Sequence, residues 1–201
     1  KYGVGEGQMV VLYAGALGRS NAVEDVLEAM EATAHDERIL WWVAGEGVMA
    51  PAVAAVAERR RAAGQGGVRW FGQMAKSEVV ELYKAADVNV VTFRHEPLFY
   101  ENSPNKFFDG IAAGVLAVFN RSTWLEPWLE KYGCGVVCEA GRRGIAAVLV
   151  DLAGDAERRQ RMSVGARRLA REEFDRERLA QEMVLAGTKG HLHHAVKQIG
   201  D

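Results

Sequence analysis

Two acids bracket the start of a short apolar segment in ENSPNKFFDGIAAG, residues 101–114. Glu101 precedes a cluster of turn and cap residues, and Asp109 follows Pro104, Lys106 and two phenylalanines. Acids near a helix start are favourable on dipole grounds alone, so the pair is not diagnostic by itself. The residues between them say more. A helix beginning at Pro104, with Asn102 or Ser103 as cap, leaves the amides of Asn105 and Lys106 pointing outward. Free amides at the positive end of a helix form an anion site suited to phosphate, and Lys106 adds charge to it. Asn105 and Asp109 are four apart and share a face, which puts Asp109 one turn deeper. A carboxylate there can accept hydrogen bonds from a diol, each worth about 1.5–3 kcal/mol. Phosphate at the helix start and hydroxyls one turn below suit the ribose and phosphates of a nucleotide.

The elements that must position these residues alternate in type. Short apolar runs at 9–15, 38–45, 68–72, 88–93, 115–120 and 135–139 read as strands. Between them, segments at 21–34, 49–64, 76–86, 104–113 and 123–133 show helical spacing or helix punctuation. Pro51 is tolerated in the first turn of its helix. Helices at 144–155, 156–174 and 175–187 complete the pattern. Strands apolar on both faces must be covered on both sides. The predicted fold is an open, doubly wound parallel α/β sheet of about six strands with helices on both faces, Rossmann-like in type. Residues 1–190 form one domain in this reading, and 191–201 a flexible tail.

In such sheets ligands bind outside the carboxyl ends of the strands. The loop GALGRSN brings Gly15, Gly18 and Arg19 there. Its glycines allow close backbone approach and its arginine can clamp phosphate, although a tight turn with an exposed arginine fits equally. It lacks the third glycine of a dinucleotide fingerprint. FGQMAKSE, residues 71–78, offers backbone groups, the Phe71 ring and Ser77 as an N-cap candidate. A nucleobase can lie against it, or Phe71 can simply be core. The connection RHEPLFYENS is long for a compact α/β unit, a length often associated with function, and it carries Glu96 and Glu101.

The 201 residues carry a net charge of −2 and are 49% apolar, an ordinary globular profile with no basic field to recruit nucleic acid. No apolar run reaches the length of a membrane span. The chain starts at Lys1 and reaches a strand within ten residues, which reads as a piece of a longer protein. Cys134 and Cys138 stand roughly 13 Å apart if their segment is a strand, too far for a disulfide, so buried thiols are expected. His191, His193 and His194 fall in an aperiodic tail. The basic run within 158–171 reads as a solvated helix face.

On these residues the sequence resembles the carboxy-terminal domain of a GT-B glycosyltransferase of family 4. That family has two acids separated by seven residues and then a small-residue helix ending in glycine, as Glu101, Asp109 and DGIAAG do here. ENSPNKFFDGIAAG is similar to a bacterial subgroup that builds cell-surface polysaccharide by transferring N-acetylated amino sugars such as N-acetylfucosamine. YAGALGRSNAVEDVLEA, VRWFGQMAKSEVVELYKAADV and WLEKYGCGVV extend the resemblance over about 9–185.

The resemblance implies a retaining transfer from a nucleotide diphosphate sugar, most simply UDP-linked, with no cofactor and no metal. It places Glu101 at the donor sugar as the catalytic acid residue and Asp109 at the ribose. Gly15, Arg19, Ser103, Asn105 and Lys106 fall at the diphosphate and sugar, and Phe71, Gly72, Gln73 and Met74 at the base. The family's usual second acid is Glu rather than Asp, and its usual Arg and Lys in the first loop are Ala16 and Asn21 here. The partners implied are the donor, an amino-terminal GT-B domain, and a glycan or lipid-linked acceptor bound through that domain. The isolated chain is then expected to be inactive. The implied location is cytoplasmic, with peripheral docking at the inner face of the plasma membrane open to the full-length protein. A nucleotide-sugar 2-epimerase of the same architecture and a non-catalytic nucleotide-binding module are the rival readings.

Overall fold

The computed structural model describes residues 3–64, 67–138 and 144–185. Six strands form one sheet: β1 (Met9–Ala14), β2 (Ile39–Ala44), β3 (Val68–Trp70), β4 (Val88–Val91), β5 (Leu116–Phe119) and β6 (Gly135–Val137). Their spatial order is β3-β2-β1-β4-β5-β6, and every pairing is parallel. The helices are α1 (Val23–Ala32), α2 (Ala50–Ala62), α3 (Lys76–Ala85), α4 (Asn105–Ala113), α5 (Glu126–Tyr132), α6 (Ile145–Ala153) and α7 (Ala156–Glu172). A further helical stretch covers 176–185. The predicted doubly wound sheet is therefore the observed one.

Alternation along the strands builds two cores. Met9, Val11 and Tyr13 of β1 face a layer made with Val26 of α1, Val53 of α2 and Leu149 of α6. Val10, Leu12 and Ala14 face Leu82 and Tyr83 of α3. On that same side Phe107 and Ile111 of α4, Leu129 of α5 and Leu169 of α7 cover β5. All six residues of β1 and all four of β4 and β5 are buried, as a sheet covered on both faces requires.

The chain begins in the middle of the sheet, builds outward to β3, then returns to the other side of β1. β1 and β4 are thus the point where strand order reverses. Their pairing runs only through Val11–Val88 and Leu12–Asn89, although both strands continue further. Beyond that pair no ladder holds them together, and a crevice opens at their carboxyl ends, where such sheets bind ligands.

Two cap expectations are corrected. The N-cap of α4 is Pro104, with no side-chain cap, rather than Asn102 or Ser103. Proline sets the extended backbone just before the helix, so no hydroxyl or amide is needed there. Ser77 lies inside the first turn of α3, whose N-cap is Ala75. Glu78 fills the role by accepting a hydrogen bond from the Ala75 amide at 2.9 Å. Cys134 and Cys138 are both buried and not joined to one another, and burial pushes the Cys134 thiol up to about 12. The histidine tail lies outside the described residues, as does the end of the last predicted helix.

Candidate functional site

A cleft of about 820 Å³ lies at the carboxyl ends of β1, β2 and β4. Its floor is backbone. The Gly15 amide donates to Ala44 O at 2.9 Å, Leu17 N to Glu46 O at 2.8 Å, and Gly45 N to Gly72 O at 2.8 Å. The loops after β1, β2 and β3 are thus laced together. Gly45 has φ +144°, and a Cβ built there would stand 1.9 Å from Gly15 O. The glycines of the loop at 45–47 are consequently a packing requirement. Gly45→Ala is expected to lower the stability of the chain by more than about 2 kcal/mol, combining backbone strain with a backbone clash. Chemical denaturation checks this; wild-type stability in the variant would refute the close approach.

The opposite wall is α4. Asn102, Ser103, Pro104, Asn105, Lys106 and Asp109 all line the cleft. The Phe107 amide already bonds Pro104 O at 2.9 Å, which leaves those of Asn105 and Lys106 as the open donors. The helix is seated directly on the sheet, since a Cβ at Gly110 would meet Asn89 Nδ2 at 2.5 Å. Asn89 of β4 is fully buried and donates to Lys106 O at 2.8 Å, and the Tyr83 hydroxyl donates to the same carbonyl at 3.1 Å. Two side chains from different elements therefore set the rotation of the first turn.

That rotation sends the half-buried Lys106 side chain inward. Its Nζ lies 4.2 Å from the centroid of the Tyr13 ring and donates to the Tyr13 hydroxyl at 3.2 Å. Its end also stands over Gly15, within 3.3 Å of where a Cβ would be. Burial draws the Lys106 ammonium down to about 7. A partly dehydrated ammonium gains most from an incoming anion. Burial also raises the Tyr13 phenol, which stays protonated and donates to Ala16 O at 3.0 Å.

Asp109 lies one turn further along, half-buried, with Arg176 Nη2 at 3.6 Å from Oδ1. Its charge helps to raise the Tyr83 phenol, after burial. The Arg176 side chain is 73% exposed. Such an ion pair is worth about 0–1 kcal/mol, so the guanidinium is readily displaced.

The structure gathers Gly15, Ser103, Asn105, Lys106, Asp109, Gln73 and Met74 around one cavity. Arg19 does not line it; it opens an exposed single turn, Arg19–Asn21, while Asn21 turns toward the cleft. Glu101 is exposed on the connection before α4 and lies outside the lining. Phe71 packs its ring edge-to-face against Trp42, centroids 5.9 Å apart, and Gly72 holds φ +68° behind Gln73. Tyr83, Phe93, Lys76, Val79 and Arg176 join the lining without having been singled out in the sequence. Tyr83 falls within the helix predicted over 76–86, but only the helix–sheet packing shows its hydroxyl reaching α4. Nothing local to Arg176 signals its approach to Asp109. Among the described residues, no group of three or more His, Cys, Asp and Glu could hold a metal ion. No described helix is long and apolar enough to cross a membrane.

Comparison with known proteins gives the same architecture. Anabaena HepE in complex with UDP superposes with a TM-score of 0.74 at 15% identity, over 91% of this chain and 49% of that one. WaaG, a glycosyltransferase involved in lipopolysaccharide biosynthesis, gives 0.65 at 21% identity over 84% of this chain and 44% of that one. The carboxy-terminal domain of LpcC from Francisella tularensis gives 0.67 at 14% identity, covering 83% and 86%. The chain thus spans about half the length of HepE and WaaG. No curated protein matches the sequence. The family model for glycosyl transferases group 1 matches residues 8–155, from the start of β1 through α6, and the chain belongs to that family.

Proposed function

We propose that this chain is the donor-binding half of a retaining glycosyltransferase that uses a UDP-linked sugar. The carrying observation is that α4 presents three groups in line to one cleft: open N-terminal amides, the Lys106 ammonium, and the Asp109 carboxylate a turn deeper. Amides and ammonium suit a diphosphate, which is also the leaving group of the transfer and gains charge as the sugar departs. Asp109 suits the ribose diol, and the backbone around Gly72, Gln73 and Met74 the base. The 820 Å³ volume accommodates a nucleotide sugar. HepE was solved with UDP and with UDP-glucose, which supports the choice of uridine.

Lys106 takes the phosphate role that Arg19 would have had, because it reaches the cleft and Arg19 does not. Glu101, on the connection that leads into α4, acts at the sugar, with electrostatics rather than a metal stabilising the departing diphosphate. The acceptor is a surface polysaccharide or lipid-linked glycan held by a second domain, the sugar an N-acetylated amino sugar such as N-acetylfucosamine, and the location cytoplasmic, at the membrane face. The chain alone is expected to bind donor without transferring sugar.

A thermal-shift series with UDP, GDP and ADP tests the core of this. UDP should raise the melting temperature more than the other two at equal concentration, since only a ligand bound to the folded state stabilises it. Equal shifts with all three would sink the uridine reading, and no shift with any would sink the nucleotide site.

A further inference from the structure

The connection between β4 and α4 bears Glu101 and ends at the phosphate-facing helix start. Its only regular element is a single turn, Pro97–Phe99. Apart from the Arg94 amide, which donates to Ser20 O at 3.2 Å, what holds its course is a different segment, residues 120–124, which follows β5. Asn120 is 5% exposed; its Oδ1 accepts from the Phe93 amide at 3.0 Å and its Nδ2 donates to Phe93 O at 2.8 Å. That reciprocal pair mimics a strand partner just where the β4–β5 ladder ends. The same Nδ2 donates to Asp25 Oδ2 at 2.6 Å, which ties the pair to α1.

The next residues extend the grip. Arg121 Nη1 donates to the carbonyls of Arg94 and Glu96, the latter at 2.8 Å. The Trp124 amide donates to Tyr100 O at 3.2 Å, and its indole Nε1 to Asn102 O at 3.1 Å. Five carbonyls of the connection, at 93, 94, 96, 100 and 102, are thus bound by three residues of one short segment. Each of these hydrogen bonds to the connection is to its backbone, so the segment dictates the path of the connection whatever its side chains. Apolar packing backs it, with Phe99 stacked on Phe93 at 6.2 Å and Trp124 edge-on to Phe174 at 6.4 Å.

We propose that Asn120, Arg121 and Trp124 are positioning residues that preset the β4–α4 connection, and with it Glu101, Asn102 and Ser103, against the sugar half of the donor. The proposal rests on the donor-binding reading above. A free connection of this length would lose conformational entropy on each donor encounter, and preorganisation removes that cost. The nucleotide half is held separately, because Lys106 and Asp109 sit on α4, anchored by Asn89 and Tyr83.

This separation makes the test. Trp124→Phe keeps an aromatic ring and removes the indole donor; Arg121→Met, at a partly exposed position, removes the guanidinium. Calorimetric titration of UDP and of UDP-N-acetylglucosamine is run on the wild-type 201-residue chain and both variants. UDP affinity should stay within about twofold of wild type, while the affinity difference between sugar nucleotide and UDP should shrink by at least about fivefold. Amide hydrogen exchange over 94–102 should quicken in both. Faster exchange with the sugar contribution intact would reduce the segment to a structural staple and overturn the proposal, as would equal binding of the two ligands by wild type. Failure of wild type to bind UDP at all would fault the donor-site reading. In that event unchanged exchange over 94–102 in the variants would overturn the positioning role by itself.

Discussion

Replacing Asp109 with alanine is expected to weaken UDP binding by about 10- to 150-fold, the equivalent of one lost charged hydrogen bond of roughly 1.5–3 kcal/mol. The carboxylate is half-buried, faces the cleft, and lies on the same helix face as the open amides. Its present partner, Arg176, is mostly exposed and gives up little when displaced. Asp109→Asn retains an acceptor but not the charge, and should fall between wild type and alanine. Folding is not at issue, since among the described residues the partner of the side chain is the exposed Arg176. The decisive comparison uses 2′-deoxy-UDP. It should bind wild type more weakly than UDP does, and bind the alanine variant about as well as UDP does. A deoxy penalty that survives in Asp109→Ala would remove Asp109 from the ribose.

The second large effect is a pH dependence carried by Lys106. Its pKa is lowered from 10.5 to about 7 by burial. Between those values the unfolded chain holds a proton that the folded chain lacks. This group's contribution to stability therefore rises with pH across about 7 to 10.5, and the folded chain carries the full cost of the buried ammonium below 7. A bound diphosphate acts in the opposite direction. It favours the charged form and lifts the pKa back, so binding takes up a proton above pH 7. UDP affinity should accordingly fall as pH rises from 7 to 9, by up to about tenfold per unit for one coupled proton. The phosphates are themselves ionised above about pH 6, so they add little to the trend. Lys106→Met should bind UDP weakly with a flat profile over the same range. It should also be at least as stable as wild type at pH 6 without ligand, because a buried charge has been removed. Calorimetry in buffers of different ionisation enthalpy reads the proton uptake directly. A wild-type profile that is flat from 7 to 9, together with wild-type UDP affinity in Lys106→Met, would show that Lys106 does not meet the anion.

Much of this was legible in the sequence. Strand and helix order followed from apolar runs and helical spacing, because a sheet covered on both faces must have strands like MVVLYA. The positions of Lys106 and Asp109 relative to the α4 amides followed from helical geometry alone, since 3.6 residues per turn places them whatever surrounds the helix. Less was legible about which polar residue enters the cleft. Arg19 and Lys106 both sit at the carboxyl edge of the sheet, yet Arg19 opens an exposed turn while Lys106 lies against Tyr13. That outcome depends on Asn89 and Tyr83, which are 17 and 23 residues away along the chain and fix the rotation of α4.

The sequence by itself thus determined the doubly wound order of elements and the local geometry of the anion-binding helix, both of which arise from short-range periodicity. Tertiary structure alone decided that β1 and β4 part beyond Leu12 and Asn89, that Arg176 meets Asp109, and that residues 120–124 carry the connection bearing Glu101. Those are contacts between segments distant in sequence, set by how helices seat on the sheet, and no periodicity along the chain encodes them.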